Sequence, residues 1–337
     1  MPSPERDIKA VLDESGPNYD SFSFERPTAS HQGEVFLVTL NYAGDAYEIV
    51  IKFKANDPEF GLEPFLHDYV ADRTDIPVPG ILVFKERPEL DVDPYFVTEK
   101  VEGSNLAQSL TKIEPVTRER IIKQAGAILG DMHSEIGFEG FGRLGLDDDR
   151  IIVRDFSWDW QQFFKDTADG VIDRLNDTPF EGMQERAREN LENSIGIIDS
   201  DGVPRLVHDD FRPANMLFLK DREKPITSVL DWQFTLAGDP EYHIARTEFL
   251  FIDPTFEDAK TRERLRSSLY EGYRQYREFD PDEGYEQRRL VYHFATLIWR
   301  MVSFNASFEE HSGLARARAE ARFRRQFNHL SDILDDI

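Results

Sequence analysis

Residues 207–231 read VHDDFRPANMLFLKDREKPITSVLD, and this stretch decides the fold class. Two apolar runs, 216–219 and 226–230, flank a polar turn, which predicts a β-hairpin. Asn215 stands just before the first run and Asp231 just after the second, so strand pairing should bring their Cβ atoms to facing positions about 5 Å apart. An amide oxygen and a carboxylate together suit a hard cation such as Mg²⁺. The sequence therefore predicts a magnesium site at the open end of this hairpin.

The loop before the hairpin carries a second carboxylate, Asp210. A carboxylate near a metal-bound phosphate can orient a hydroxyl group and accept its proton during phosphoryl transfer. The order His-x-Asp-x-x-x-x-Asn, then a hairpin, then Asp is the layout that protein kinases use for this reaction. Its spacing is met by His208, Asp210, Asn215 and Asp231. The competing interpretation is an ordinary polar turn, because Asp and Asn side chains commonly bond nearby backbone N–H groups. We expect His208 to hold the loop through hydrogen bonds rather than to transfer protons.

The first hundred residues are rich in β-branched and aromatic runs. Residues 34–40 and 47–54 predict two strands of a hairpin around the turn signal at 41–45. Lys52 and Lys54 share one face of the second strand because side chains alternate with a period of two. Either lysine could therefore bind phosphate, and we favour Lys52.

The next segment, 59–70, has apolar residues at helical spacing. Glu63 within it is either a solvated surface carboxylate or the ion-pair partner of Lys52. Two further strands are predicted at 81–85 and 95–100.

Beyond residue 104 the pattern becomes mainly helical, with the hairpin region as the one β-rich island. Helical periodicity occurs in the segments 121–133, 261–279, 286–302 and 314–334. An aromatic cluster at Trp158, Trp160, Phe163 and Phe164 is expected in the core, with the floor of an acceptor pocket as the alternative. The architecture is therefore a small β-rich N-terminal lobe joined by a short linker to a larger helical lobe.

The motifs at 207–215, 230–233 and 238–240 resemble those of the aminoglycoside phosphotransferase family, relatives of the choline kinases with a protein-kinase-like fold. Weaker matches extend the resemblance over roughly residues 30–250. It implies an α+β, bilobal fold. The implied divisions are an N-terminal nucleotide-binding lobe at 1–98, a hinge at 99–103 and a C-terminal catalytic and acceptor-binding lobe at 104–337.

The resemblance also implies roles for individual residues. Lys52, held by Glu63, would position the phosphates of ATP. The remaining assignments are Glu99, Lys100 and Val101 for adenine, Asn215 and Asp231 for Mg²⁺, Asp210 for the acceptor hydroxyl, and His208, Asp209 and Arg212 for support.

Three positions depart from the family pattern. Asp209 replaces a usual glycine, and it would raise the pKa of Asp210 or serve as an additional metal or substrate ligand. The loop 30–34 has one glycine and one acid, so we assign no phosphate contact to it. Gln233 stands where an acid is frequent.

The chain of 337 residues carries 40 Lys and Arg against 65 Asp and Glu, a net charge of −25, and no cysteine. Such a charge opposes binding to nucleic acid or to an anionic membrane surface. The absence of cysteine excludes disulfides and thiolate metal sites. We hypothesise adaptation to high salt, where acidic self-repulsion is screened; attraction of a cationic ligand is the competing explanation. A charged start and the lack of a long apolar run favour a soluble cytoplasmic protein.

The predicted function is ATP- and Mg²⁺-dependent phosphoryl transfer to a hydroxyl group of a small molecule. Related folds act on aminoglycosides, choline, homoserine and sugars. The alternative is a nucleotide-binding pseudokinase or regulatory module without turnover, since Asp209 and the loop 30–34 are unusual. A metal hydrolase is disfavoured because the histidines lack a ligand-like spacing.

Overall fold

The computed structural model describes ten ranges of the chain: 4–16, 18–27, 34–54, 59–88, 92–147, 150–199, 202–253, 255–256, 258–309 and 311–337. The helices are α1 (Pro4–Ser15), α2 (Leu62–Ala71), α3 (Pro115–Glu135), α4 (Trp160–Asp173), α5 (Gln184–Ser194), α6 (Pro240–Phe251), α7 (Ala259–Tyr273), α8 (Glu283–Val302), α9 (Phe304–Ser307) and α10 (Gly313–Leu334). The strands are β1 (Ser21–Glu25), β2 (Glu34–Tyr42), β3 (Asp45–Phe53), β4 (Ile81–Lys85), β5 (Tyr95–Glu99), β6 (Ser104–Asn105), β7 (Phe141–Asp147), β8 (Arg150–Ser157), β9 (Arg205–His208), β10 (Met216–Phe218), β11 (Ile226–Val229) and β12 (Thr235–Gly238).

The chain divides into two compact units. Unit 1 comprises Met1–Gln124, Leu144–Ile152 and Asp210–Phe234. Unit 2 comprises Ala125–Arg143, Val153–Asp209 and Thr235–Ile337. The segment that contains the predicted metal ligands therefore belongs to the same unit as the N-terminal strands, whereas the predicted lobe boundaries at 98 and 104 stay a prediction.

Unit 1 contains a five-stranded antiparallel sheet in the order β1-β2-β3-β5-β4. The predicted hairpin forms, and its strands β2 and β3 pair from Glu34↔Phe53 to Tyr42↔Asp45. Ala43 and Gly44, with φ of 52° and 95°, make its two-residue turn. Positive φ at both turn residues matches the twist of the paired strands. The predicted strand at 81–85 is confirmed, and α2 lies within one to three residues of its predicted ends.

The core of unit 1 lies between α1 and one face of this sheet. Ile8, Val11 and Leu12 of α1 are buried against side chains that alternate along the strands, such as Phe36 and Val38. This alternation is the period of two expected of a sheet with one covered face. The sequence analysis missed both α1 and β1.

A second sheet of unit 1 has the order β11-β10-β6. The predicted hairpin around residue 222 is confirmed, with Met216 opposite Val229. On its other edge β10 pairs with β6 through Leu217↔Asn105.

Unit 2 is mainly helical, and α8 packs against α4, α6 and α10. Most residues of α6 are buried, so its sequence lacks the polar stripe of a surface helix. The parts of β7, β8, β9 and β12 that belong to unit 2 lie in a sheet of order β8-β7-β12-β9. The expectation of a single β-rich island after residue 104 is wrong, because β7 and β8 form a further pair.

Aspartates begin several helices of unit 2. The carboxylates of Asp159, Asp239, Asp258 and Asp282 accept hydrogen bonds from backbone N–H groups in the first turns of α4, α6, α7 and α8. A carboxylate there satisfies orphan donors and interacts favourably with the helix dipole. Part of the acidic composition therefore stabilises helix ends. Within the described ranges, no helix has both the length and the apolar character needed to span a membrane.

Gly126 of α3 allows close approach of α7. A Cβ atom at this position would overlap the carbonyl oxygen of Leu269 and lie 3.0 Å from the backbone nitrogen of Tyr273. Gly126→Ala should therefore lower the free energy of unfolding by about 2 kcal/mol or more.

The matched control is Gly170→Ala in α4, where a Cβ meets nothing within 4 Å. This control should raise the free energy of unfolding by about 0.5–1 kcal/mol. Urea denaturation measures both, and equal effects would contradict the close packing.

The N-cap Asp239 gives a pH-dependent stability. Burial, assisted by Glu241, raises the pKa of Asp239 to about 6. The folded state therefore holds this proton more tightly than the unfolded chain, and stability falls as pH rises from about 4 to about 6. Relative to Asp239→Asn, which does not titrate, the wild-type melting temperature should decrease over this window and then level.

The control is the exposed N-cap Asp258, whose pKa is lowered by hydrogen bonds from Thr261. Relative to Asp258→Asn, the wild type should gain stability as pH rises through about 4, because the folded state binds the proton more weakly. Melting temperatures measured across this pH range test both the predicted decrease in stability from Asp239 and the predicted increase from Asp258. Parallel pH profiles for the two variants would contradict the prediction.

Candidate active site

Lys52 lies near the end of β3 with only 9% of its surface exposed. Its Nζ atom is 2.5 Å from Oε2 of Glu63 and 3.4 Å from Oδ1 of Asp231. Burial alone would lower the pKa of Lys52, but the two carboxylates outweigh burial and raise it. The ammonium group is therefore held charged between two acids that are distant in sequence.

Glu63 occupies the first turn of α2 and is 5% exposed. A carboxylate is favoured there by the helix dipole as well as by Lys52. Of the two alternatives left by the sequence, a solvated carboxylate and an ion-pair partner, the structure has the ion pair.

Lys54 lies on the same strand face but has different contacts. Its Nζ atom is 2.6 Å from Oε1 of Gln233. The amide nitrogen of Gln233 in turn donates to Oδ1 of Asp231 at 2.8 Å. Gln233 thus orients Asp231, which gives this departure from the family pattern a structural explanation.

Asp231 has a left-handed backbone, with φ of 67°. Asp tolerates this region better than most residues because its short polar side chain can bond locally. The turn is fixed on both sides: Leu230 donates its N–H to the Asn215 carbonyl at 2.9 Å, and the buried indole of Trp232 donates to the Val229 carbonyl at 3.1 Å. The residue after the hairpin therefore leaves the sheet with its carboxylate directed to Lys52.

Asp210 and Asn215 are both buried. The amide nitrogen of Asn215 donates to Oδ2 of Asp210 at 2.7 Å, and Nε of Arg212 lies 2.8 Å from Oδ1. The hydrogen bond from Asn215 and the ion pair with Arg212 fix the orientation of the Asp210 carboxylate. They also fix Asn215, whose amide oxygen must point away from Asp210.

The hairpin register differs from the prediction in one detail. Because Met216 pairs with Val229, the residue opposite Asn215 is Leu230, and Asp231 lies one position beyond it. The left-handed turn at Asp231 is what redirects its side chain.

Residues 99–101, the adenine-binding part of the predicted hinge, use their backbone N–H groups unequally. Glu99 donates its N–H to the Gly80 carbonyl at 3.1 Å, and Lys100 donates to the Glu48 carbonyl at 3.4 Å. The backbone N–H of Val101 has no hydrogen-bond partner among the described residues. Of these three residues, Val101 is therefore the one whose backbone N–H makes no hydrogen bond to another described residue. The loop residues 30–33, for which no phosphate contact was assigned, lie outside the described residues.

Asp209, in unit 2, is engaged by two side chains that the sequence analysis missed. Oδ1 of Asp209 accepts a hydrogen bond from the Tyr242 hydroxyl at 2.6 Å and lies 3.2 Å from Nε of Arg246. Arg246 also donates to the backbone carbonyl of Asp209 at 2.6 Å. This extra acid is therefore charge-compensated by a buried arginine.

A chain of buried histidines within unit 2 ends at the backbone of His208. His133 contacts the Tyr273 hydroxyl through Nδ1 and His243 through Nε2, each at 3.0 Å, and the ring of His243 bonds to the backbone of His208. Burial lowers the pKa of His133 to about 3 and that of His243 well below its usual value. Both rings are neutral near pH 7, so each can donate through one nitrogen and accept through the other.

The aromatic cluster divides. Trp160, Phe163 and Phe164 are buried and also line a pocket of unit 2, whereas Trp158 is 75% exposed. The expectation that Trp158 belongs to the core is wrong, because it precedes α4 and its one ring contact among the described rings is an edge-to-face contact with the exposed Phe156. The sequence did carry a signal for α6, the helix of Tyr242 and Arg246: Asp239-Pro240 is a typical N-cap followed by proline at the first helical position.

Glu248, Asp253 and His293 place potential ligand atoms within 4.8 Å of one another. However, Glu248 accepts hydrogen bonds from Tyr270 and Tyr285 and is paired with Arg266 and Arg289. Two partly buried guanidinium groups already supply the positive charge that a metal would bring, so arginine balances the charge of this cluster.

Comparisons with known proteins place the chain in a family. Residues 55–286 match the family model described as phosphotransferase enzyme family. A search of curated proteins found no match. Among solved structures, a candidate aminoglycoside phosphotransferase from Ralstonia eutropha aligns with a TM-score of 0.69 at 17% identity, covering 98% of each chain.

Two further structures extend this similarity. The microcompartment-associated aminopropanol kinase has a TM-score of 0.67 at 16% identity, covering 98% of this chain and 97% of its own. The Streptomyces rimosus aminoglycoside phosphotransferase, solved with ADP and streptomycin, has a TM-score of 0.54 at 14% identity, covering 88% and 99%. The predicted α+β, bilobal kinase-like fold and the family resemblance are confirmed. Since the family model matches well over half of the sequence, this chain belongs to the phosphotransferase enzyme family.

Proposed function

We propose that this phosphotransferase transfers the γ-phosphoryl group of ATP to a hydroxyl group of a small molecule, with Mg²⁺ as the cofactor. The observation that carries the proposal is the buried Lys52 ammonium, held by Glu63 and Asp231 within unit 1. An ammonium group held in a fixed position can bind phosphate oxygens. In phosphoryl transfer, most of the rate enhancement comes from positioning the reactants and from electrostatic stabilisation of the transition state.

The donor set of unit 1 fits Mg²⁺. The Asn215 amide oxygen is directed away from Asp210, and the contacts that Asp231 makes among the described residues fall on Oδ1. Asn215 Oδ1 and Asp231 Oδ2 would thus hold the ion, whose preferred ligands are one or two protein oxygens with phosphate and water. When bound, Mg²⁺ would neutralise charge on the phosphate oxygens.

Asp210 would orient the acceptor hydroxyl and accept its proton. Its two oxygens are held by Asn215 and Arg212, so the carboxylate has a fixed direction. A fixed general base raises the fraction of complexes that can react.

The nucleotide would lie in the predicted lobe 1–98 with adenine at the hinge 99–103, where Val101 offers its backbone N–H, beside Glu99 and Lys100. The solved relative from Streptomyces rimosus contains ADP, which supports ATP as the donor. Residues 104–337 would complete catalysis and bind the acceptor. Cytoplasmic location, where ATP is abundant, and salt adaptation both stay predictions.

Asp210→Asn should lower kcat by about 10²–10⁴-fold with little change in the KM for ATP, because the base is lost while nucleotide contacts remain. The control is Asp221→Asn, an exposed acid in the turn between β10 and β11. ADP release with a panel of hydroxyl acceptors, at low and high salt, measures both variants. Normal turnover by a folded Asp210→Asn variant would refute the role of Asp210 as the base and would indicate that another group accepts the proton.

Asp231→Asn should lower kcat on the order of 10³-fold and raise the Mg²⁺ concentration needed for half-maximal rate. Asn tolerates the left-handed backbone, so this variant isolates the charge. Asp231→Ala, the comparison, should lose turnover equally and also lose about 1 kcal/mol of stability through backbone strain. Wild-type magnesium dependence in Asp231→Asn would exclude Asp231 as a ligand.

A further inference from the structure

Lys54 links the N-terminal sheet of unit 1 to the turn that follows β11. Its backbone N–H donates to the Pro94 carbonyl at 3.1 Å, so the pairing of β3 with β5 fixes the position of its backbone. Its Nζ atom lies 2.6 Å from Oε1 of Gln233, a residue 179 positions further along the chain. A lysine that the proposed reaction does not use therefore contacts the residue two positions after the proposed metal ligand Asp231.

This contact determines which way the Gln233 amide faces. An ammonium group can only donate, so Lys54 requires the amide oxygen of Gln233 on its own side. The amide nitrogen then points to the other side, where it donates to Oδ1 of Asp231 at 2.8 Å. If the amide were turned over, its oxygen would face the carboxylate, and two acceptors would meet with no hydrogen between them. Lys54 thus selects the one amide orientation that can hold Asp231.

Gln233 makes the shorter of two contacts on Oδ1 of Asp231. The ammonium group of Lys52 lies 3.4 Å from this oxygen, beyond the usual range of an N–H···O hydrogen bond, and its shorter contact, at 2.5 Å, is to Glu63. The amide of Gln233, at 2.8 Å, lies within that range. The direction of the Asp231 carboxylate therefore depends mainly on Gln233 and, through Gln233, on Lys54.

We infer that Lys54 and Gln233 are positioning residues for Asp231: they set the Mg²⁺ affinity of the nucleotide complex through the direction of this carboxylate, and they bind neither the ion nor phosphate. This inference rests on the proposed function, which assigns Oδ2 of Asp231 to the ion. Hydrogen-bond partners of metal ligands typically contribute about 10–100-fold to metal affinity or activity. The two lysines of the strand face then have different roles, since Lys52 binds phosphate and Lys54 orients a metal ligand.

The sign of the effect separates positioning from simple electrostatics. A lysine repels a nearby cation, so removal of Lys54 tightens Mg²⁺ binding if only its charge matters. Removal weakens Mg²⁺ binding if the lysine acts by orienting Gln233. If Lys54 instead binds phosphate directly, its removal weakens nucleotide binding even when the ion is absent.

The experiment measures the affinity for ADP by titration calorimetry, over a series of Mg²⁺ concentrations and in excess EDTA. Mg²⁺ joins protein oxygens to phosphate, so its binding is seen as a higher affinity for ADP. Lys54→Met and Gln233→Met each replace a polar group with an apolar chain of similar length. In each variant the Mg²⁺ concentration that gives half of this increase should rise by about tenfold, while the ADP affinity in EDTA should match that of wild type.

A double variant and a control complete the set. Because Lys54 acts through Gln233, Lys54→Met combined with Gln233→Met should be no worse than either single variant. Lys85→Met removes the same charge from an exposed position at the end of β4 and should leave the Mg²⁺ dependence unchanged. Urea denaturation shows whether each variant is folded, and either single variant is sufficient if the other fails to fold.

Three results would overturn the inference: tighter Mg²⁺ binding in Lys54→Met, a loss of ADP affinity in EDTA, or a wild-type Mg²⁺ dependence in a folded Gln233→Met. A change in the free energy of unfolding with no change in Mg²⁺ dependence would make the two residues merely structural and would also reject it.

The proposed function fails separately, in wild type. If wild type binds no ADP, or binds it independently of Mg²⁺, the nucleotide and metal assignments are wrong, and the positioning role is rejected with them. If wild type requires Mg²⁺ for tight ADP binding and the variants behave in the same way, only the positioning role is wrong.

Discussion

The buried ammonium group of Lys52 is the constraint on which the rest of unit 1 depends. A cation with so little exposure needs carboxylate partners, since leaving one buried charge uncompensated costs about 3–5 kcal/mol. Its partners come from α2 and from the turn after β11, at Glu63 and Asp231. Strand β3, the helix and the hairpin must therefore take one relative arrangement before the charge is satisfied. The same arrangement places the side-chain oxygens of Asp231 and Asn215 where they could bind a metal ion. The ion pairs of Lys52 therefore also form part of the proposed nucleotide site.

Local patterns were sufficient to predict this part of the molecule. Alternation of apolar residues defined the β2–β3 hairpin and placed Lys52 on a known face, and fixed spacing joined Asp210 to Asn215. The strand pattern could not separate Lys52 from Lys54, because both share a strand face and only the folded structure shows that Glu63 and Asp231 contact Lys52 whereas Gln233 contacts Lys54. Likewise α6 escaped detection because it is buried on nearly all sides, so its sequence has no amphipathic period.

The acidic side chains have several structural roles. Some aspartates begin helices, and other acidic residues pair with arginines that are partly or fully buried: Glu248 binds Arg266 and Arg289, and Asp209 binds Arg246. Guanidinium groups suit these sites because their planar fork satisfies several acceptors at once. A net charge counted along the sequence therefore overstates the field at any one site, and the field in a cavity must be worked out from the residues that line it.

The difference between net charge and local charge separates the attraction of a cation to the protein surface from its retention at one site. An acidic surface raises the local concentration of cations over a distance set by the Debye length, about 8–10 Å at ordinary ionic strength and less in strong salt. Retention of a cation requires a charge that the protein itself leaves uncompensated, and the ion pair with Arg246 compensates the charge of Asp209. Apolar surface, in contrast, stabilises a packed side chain by roughly 25 cal/mol per Å² of area removed from water, and salting-out salts strengthen this effect. If the protein works in a salt-rich cytoplasm, its apolar packing and its buried ion pairs keep their strength under conditions in which the field of its exposed acids is screened.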